Sequence, residues 1–324
     1  MTELRESVTV VVPYYNERDT LPYLLQQISE QTLPPYEVIL VNSGSSDGSS
    51  EVIDDWIVRR RLNTRFENLD ASTKTPGGSK SAGVKASKGD LLAFMDCGLT
   101  FPKNWLQCQV MTLQNEAIDW VSGVCLTKGT TLVDRAAIAH TYGYLTARPV
   151  IPGSVVRRRV FDRIGLFKDL RAGYDVEWAR SSRRAGLHRE INPQVVVEYH
   201  DVNFASDLRG VFLKSLRYAR PSVGRDDTIV PYVYVFACLI GVITLGVTLV
   251  GVLPISLLPI GLFLYLLARL AIAMTKSRGF AFFLLSPVRF SVLLFVGLVM
   301  DLGKTCGFAA GIYARFLCRR SLVK

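Results

Sequence analysis

Short apolar runs, each closed by a loop of turn-forming and acidic residues, punctuate the first hundred positions of the chain. Val8 to Val12 ends on Pro13-Tyr14-Tyr15-Asn16-Glu17, Glu37 to Val41 on Asn42-Ser43-Gly44-Ser45-Ser46-Asp47-Gly48, and Leu91 to Met95 on Asp96-Cys97-Gly98. Runs of this length predict strands buried on both faces. Thr20 to Gln31 and Glu51 to Arg61 predict helices after the first two strands, which gives βα units and a mostly parallel sheet. Lys80 to Ala86 predicts a short helix entering the third strand, and Asn104 to Glu116 another. Further strands are expected at Asp119 to Thr127, at Ile151 to Val156 behind a sharp Pro152-Gly153-Ser154 turn, and at Val195 to Tyr199 before His200. Asp175 to Ala185 predicts a helix that opens with acids, as its dipole favours. In open α/β sheets ligands sit outside the carboxyl ends of strands, so the three acid-bearing loops face one cleft.

The pattern changes character after residue 228. From Ile229 to Met274 the only charge is Arg269, and the stretch is more than twice the roughly 20 residues that span a bilayer. Gly251, Pro254 and Pro259 near its middle divide it into spans at about 229–251 and 254–275. A third candidate, about 290–314, carries Asp301 and Lys304 on one helix face and a Gly303, Gly307, Gly311 ridge of the kind that lets helices approach closely. A third span is the expectation there; the competing re-entrant or interfacial reading draws support from the basic end, Arg315, Arg319, Arg320 and Lys324, because a third span would carry it away from the cytoplasmic side. The expected organisation is a catalytic domain at 1–206, a basic interfacial segment at 207–228 and a transmembrane region at 229–324.

Charge and cysteine content refine this picture. The net charge of +10 would suit nucleic acid, but Arg209, Lys214, Arg217, Arg220 and Arg225 cluster just before the apolar region, where they match anionic lipid headgroups; nucleic acid is not an expected partner. Six cysteines without a CxxC spacing make neither a disulfide framework nor a zinc site. The amino terminus mixes charges ahead of a five-residue apolar run and does not read as a signal peptide, so an integral membrane protein with its catalytic domain on the cytoplasmic side is expected.

Four ordered motifs within about residues 7–205 carry a resemblance. VVVPYYNE at Val10 to Glu17, the Val41 to Ser49 loop, SKSAGVKASKGDLLAFMDCG from Ser79 to Gly98, and Tyr174-Asp175-Val176-Glu177-Trp178 followed by Arg180, Arg183, Arg184 and Gly186 are similar to the motifs of family 2 glycosyltransferases. That family's inverting enzymes have the GT-A fold. The resemblance implies an α/β, Rossmann-like nucleotide-sugar-binding domain followed here by a helical transmembrane region.

It also implies roles. Asp175 matches the catalytic base that takes the acceptor's proton. Tyr174, Glu177 and Trp178 fall on the acceptor side, with Glu177 the second candidate base. Pro13, Tyr15, Glu17, Asn42, Ser43, Lys80, Asp96, Gly153 and Ser154 fall around the nucleotide sugar, with Asn42 in place of the usual Asp. Gly98 replaces the second acid of the Asp-x-Asp motif, so the Mn2+ or Mg2+ ion the family uses there is in question, with Asp96 and His200 as its expected ligands. The expected activity is inverting transfer from a nucleotide-diphosphate sugar to a hydroxyl of a lipid-linked acceptor at the cytoplasmic membrane face. A polyprenyl-phosphate acceptor and a non-catalytic nucleotide-sugar-binding membrane protein are the alternatives.

Overall fold

The computed structural model describes residues 6–60, 64–199, 207–220, 223 and 229–321. Two compact units are present, one formed by Met1–Leu126 with Ala147–Asp201 and the other by Thr127–Thr146 with Val202–Lys324. The first unit contains β1 (Val8–Tyr14), α1 (Leu21–Ser29), β2 (Glu37–Asn42), α2 (Ser49–Arg60), β3 (Arg65–Asp70), α3 (Pro76–Ala86), β4 (Leu91–Phe94), β5 (Leu99–Thr100), α4 (Trp105–Leu113) and β6 (Trp120–Thr127). After an excursion into the second unit through α5 (Leu132–His140), the chain returns to the first with β7 (Ala147–Arg157), α6 (Arg158–Ile164), α7 (Tyr174–Arg184) and β8 (Arg189–Tyr199). The second unit continues with α8 (Leu208–Ala219), α9 (Val230–Leu249), α10 (Leu257–Lys276), α11 (Ala281–Leu284) and α12 (Pro287–Ser321).

The sheet order is β3-β2-β1-β4-β7-β6-β8-β5. Parallel pairing joins β1 to β2, β2 to β3 and β1 to β4, whereas β4–β7, β6–β7 and β5–β8 are antiparallel. The sheet is therefore mixed, and the mostly parallel expectation holds for its first half alone. Strand β1 shows why the apolar runs are continuous: Val8, Val10 and Val12 pack into one cluster with Leu24, Leu40 and Trp105, while Val11 packs into the cluster of Phe94, Trp120, Phe161 and Trp178 on the other face. The edge strand β3, RFENLD, pairs with β2 and is partly exposed along its whole length, so it carries no apolar run by which to be seen.

Helix α3 starts four residues earlier than the sequence pattern suggests. Thr75 caps it by accepting from Gly78 N at 3.1 Å, and Pro76 occupies the first turn, where a missing N–H costs nothing. The Gly77-Gly78 pair that hides the helix from propensity reasoning is a matter of space. A Cβ on Gly77 would stand 2.2 Å from the Lys168 carbonyl oxygen, and one on Gly78 2.3 Å from the Thr73 hydroxyl.

In the second unit, α5, α8, α10, α11 and α12 share a core of Ala136, Ile138, Val211, Ala273, Phe283, Leu293, Val296 and Met300. Three of its helices, over Val230–Leu249, Leu257–Lys276 and Pro287–Phe316, are long and apolar enough to cross a membrane. Because α5 is built into this core, a truncation before Asp207 strips the apolar face of residues 127–146 of its partners. Such a fragment is expected to aggregate rather than stay monomeric, which size-exclusion chromatography with light scattering reads directly.

Candidate active site

Parallel pairing aligns the carboxyl ends of β1, β2, β3 and β4, and the loops that follow them interlock through polar contacts. The Glu17 amide donates to Ser49 Oγ at 2.8 Å, the Ser46 amide to Asn16 Oδ1 at 2.9 Å, and the Arg18 amide to Asp47 Oδ2 at 3.1 Å. The Glu17 carboxylate accepts from the Thr20 hydroxyl. Burial raises its pKa, and the charges of Asp96 and Asp47 add to the effect.

Asn42 and Ser43, the predicted nucleotide-side pair, are both buried. The Asn42 side-chain oxygen accepts from the amides of Gly44 and Ser45 at 3.1 and 2.8 Å, and its Nδ2 donates to Asp70 Oδ1 at 2.9 Å. This explains the absent Asp. A carboxylate at 42 would face the Asp70 carboxylate in adjacent register on β3, whereas an amide bonds to it. The negative charge missing from β2 stands one strand over, on an exposed side chain that the sequence reading did not single out. Ser43 shares a 2.8 Å hydroxyl contact with Ser79 and so fastens the β2 loop to α3.

Lys80, one residue on, is fully buried, with 0% exposure. Its ammonium pairs with Asp96 Oδ1 and lies 5.7 Å from the centre of the Tyr174 ring. Burial pulls its pKa down, but Asp96 and Tyr174 outweigh that and hold it above the ordinary lysine range. Lys80, expected beside the nucleotide sugar, therefore supports Asp96 from within the protein. Tyr174 is pushed up to about 12, first by burial and then by Asp96 and Asp175, against the opposing pull of Lys80.

Tyr174 opens α7, and Asp175 and Glu177 follow in its first turn. Glu177 is paired with Lys168. Asp175 forms no hydrogen bond or ion pair with the described residues and is half-buried, a carboxylate held at a helix amino terminus and left available. The loops around it are tied by a cluster the sequence did not reveal: Asp169 accepts from the hydroxyls of Thr73, at 2.8 Å, and Thr75, and so joins the segment after β3 to the segment before α7. The Thr-x-Thr-Pro spacing is its only sequence signal.

Trp178 is buried against Trp120, Phe161 and Phe167, and its indole donates to the Gly165 carbonyl at 3.1 Å. Ser154 is fully buried; its hydroxyl donates to the Val150 carbonyl at 2.7 Å and accepts from the Gly123 amide at 2.8 Å. The Gly153 carbonyl takes Trp105 Nε1 and Gln109 Nε2 at 2.8 and 2.7 Å. These contacts shape the β6–β7 irregularity near Val121 and Gly123. Tyr15 is exposed and Pro13 half-buried at the end of β1. His200 lies outside the described residues.

Among the described residues no group of three His, Cys, Asp or Glu side chains is gathered to hold a metal ion. Asp96 is the single expected ligand in view, with Oδ1 taken by Lys80 and Oδ2 available. One protein carboxylate suffices where phosphate oxygens and water complete the coordination of a hard cation, which is the lower limit of fit.

A sheet whose parallel half ends in the Glu17, Asn42 and Asp96 loops, with an acid-bearing helix joined to Asp96 through Tyr174 and Lys80, is a GT-A type of nucleotide-sugar transferase fold. The chain belongs to glycosyl transferase family 2, whose pattern matches residues 9–189. It is 27% identical over 205 residues to Glycosyltransferase AglE of Haloferax volcanii, covering 57% of this chain and 64% of that protein. It is 36% identical over 105 residues to the undecaprenyl-phosphate 4-deoxy-4-formamido-L-arabinose transferase of Aeromonas hydrophila, covering 29% of this chain and 30% of that one. The chain thus spans less than two thirds of the length of these curated relatives. In three dimensions it resembles the mannosyltransferase PcManGT of Pyrobaculum calidifontis, solved with GDP-Man and Mn2+, with a TM-score of 0.56, 17% identity, and coverage of 93% of this chain and 88% of that one.

Proposed function

We propose that this protein is a membrane-associated inverting transferase that moves a sugar from a nucleotide-diphosphate donor to a hydroxyl of a lipid-linked acceptor. The observation that carries the reading is the Asp175 carboxylate at the start of α7, without a hydrogen bond or ion pair among the described residues and next to the Lys80–Asp96–Tyr174 cluster. In this reading Asp175 accepts the acceptor's hydroxyl proton as that oxygen attacks the anomeric carbon from the face opposite the departing diphosphate. A single base and no covalent intermediate give inversion. Asp96 would hold the divalent cation, which when bound would supply positive charge to the departing diphosphate. Pro13, Tyr15, Glu17, Asn42 and Ser43 border the nucleoside. The catalytic unit lies on the cytoplasmic side, where nucleotide sugars are made.

The name of the Aeromonas relative favours a second reading, in which a polyprenyl phosphate is the acceptor. A phosphate is already ionised and needs no base. Transfer assays with a panel of nucleotide sugars against lipid-linked hydroxyl and lipid-phosphate acceptors separate the two, and no transfer to either class under any donor would defeat both.

Two expectations concern the donor. Asp70, oriented by Asn42, is assigned the reading of base N–H groups, so Asp70→Asn is expected to weaken nucleotide-diphosphate binding about tenfold or more in calorimetry, the loss of one hydrogen bond to a charged acceptor. At Gly98 a Cβ would meet only Tyr199 Cε1, at 4.0 Å, although φ is +74°. Gly98→Asp therefore has room for a second hard ligand at a backbone cost of about 1 kcal/mol. Tighter Mn2+ binding is expected by titration, and unchanged affinity would remove position 98 from the ion's surroundings.

A further inference from the structure

Helix α12 has the length and composition of a membrane span, but its packing within the second unit is not that of one. At 35 residues it is about 52 Å long at 1.5 Å per residue, well beyond a hydrocarbon core of roughly 30 Å. Its glycine ridge meets α8 and not another apolar span. A Cβ on Gly303 would stand 2.5 Å from the Phe212 carbonyl oxygen, one on Gly307 2.4 Å from that of Leu216, and one on Gly311 2.6 Å from that of Arg220. The two backbones therefore touch over three consecutive turns. Helix α8 is basic and amphipathic, with Arg209, Arg217 and Arg220 exposed beside Leu208, Leu213 and Tyr218, while Lys214 turns inward within reach of Asp134. Charged arginines are costly at hydrocarbon depth, so α8 holds residues 303–311 of α12 at the depth of the headgroups.

The contacts with α9 agree. Tyr234, the fifth residue of that helix, donates to Asp301 at 3.1 Å, lies 5.7 Å below the Lys304 ammonium and stacks edge-on with Phe308 at 5.4 Å. Val235 packs with Tyr234 against the Phe308 and Ile312 cluster, so α12 crosses α9 near that helix's amino-terminal end. Beyond that crossing α9 exposes Phe236, Leu239, Ile240, Val242, Ile243 and Leu249, surface that suits lipid. Asp301 also takes Tyr265 OH at 2.9 Å and pairs with Arg269 at 3.3 Å from α10, a polar cluster that pins the crossing.

We propose that α12 does not cross the bilayer: α8 and α12 lie together in the membrane plane at an anionic headgroup layer, and α9 and α10 alone span. The carboxyl end, with Arg315 and the sequence-basic Arg319, Arg320 and Lys324, then lies on the same side as the residues that precede α9, as its charge favours.

Protease-cleavable tags before Met1, after Lys324, and between Val252 and Leu253 in sealed membrane vesicles test the topology. Both terminal tags are expected to be cut from one side and the inter-helix tag from the other. Terminal tags on opposite sides would show that α12 spans, and an inter-helix tag on the same side as both termini would show that the α9–α10 pair does not cross; either result overturns the proposal. The two terminal tags decide α12 even if the insertion disturbs the hairpin. Spin-labelled lipids test the headgroup contact. The protein is expected to immobilise phosphatidylglycerol in preference to phosphatidylcholine, with that preference lost in R209Q/R217Q/R220Q, whereas equal immobilisation of the two lipids by the unaltered chain would overturn it. None of these readings depends on transferase activity.

Discussion

Asp175→Asn is expected to lower transfer to a hydroxyl acceptor by a hundredfold or more while leaving donor binding within about twofold, since an oriented base contributes on the order of 10²–10⁴ to rate. The structure makes this substitution a clean one. Asp175 forms no ion pair or hydrogen bond with the described residues, so the amide breaks no structural contact, and its half-buried place in the first turn of α7 accepts Asn with little cost. Loss of both turnover and folding would point to a structural acid. Retained turnover with a lipid-phosphate acceptor, and loss with a hydroxyl acceptor, would show that the base is needed only where a proton must be removed. Glu177, tied to Lys168, is expected to be the lesser of the two acids, and Glu177→Gln to retain most activity.

Lys80→Met is expected to have the largest effect on the folded state. The ammonium is fully buried and its partner Asp96 is about three-quarters buried, with 26% of its side chain exposed. Breaking a buried pair from one side costs about 3–5 kcal/mol, and the partial exposure of Asp96 places the expected loss near the lower end. Chemical denaturation in detergent measures it. The double variant with Asp96→Asn is expected to be less destabilised than the sum of the two single variants, because each single change leaves an unmatched charge or donor behind. Additive losses would mean that the pair is not coupled. Donor affinity should also fall in Lys80→Met, since the carboxylate that faces the cleft loses the group that fixes its position.

The two expectations address different layers of one site. Asp175 stands where a reacting group can reach it, and Lys80 stands beneath, where nothing from solvent can. The acid Asp96 connects them through Tyr174, whose ring meets the Lys80 ammonium and whose backbone neighbour is Asp175. A change at Lys80 is thus expected to be felt at the diphosphate, through the position of Asp96, and a change at Asp175 in the transfer step, with donor binding preserved.

Much of this was legible in the chain because burial on both faces of a central strand demands uninterrupted apolar residues. Val8 to Val12, Glu37 to Val41 and Leu91 to Met95 carry that demand openly, and the polar loops that end them must lie at one edge once the strands are parallel. The membrane-length helices were equally legible, since hydrocarbon tolerates few charges over 20 residues. Asp175 was marked in the sequence by its place at the opening of a helix and by the resemblance of Tyr174 to Trp178 to the family's motif.

What local pattern does not contain is pairing across distance. That Lys80 turns inward to Asp96, that Asn42 hands its missing charge to Asp70, and that Asp169 ties two loops through Thr73 and Thr75 all depend on which strands and helices become neighbours. Strands β6, β7 and β8 were legible as strands, but their antiparallel pairing was not, because direction is set by the partner, and β3 escaped altogether because its partly exposed residues make no apolar run. The ridge of Gly303, Gly307 and Gly311 shows the limit most plainly. Its spacing states that something packs closely against α12, but only the tertiary structure shows that the partner is the basic helix α8, because the identity of a neighbour is a property of the folded chain and not of the residues that await it.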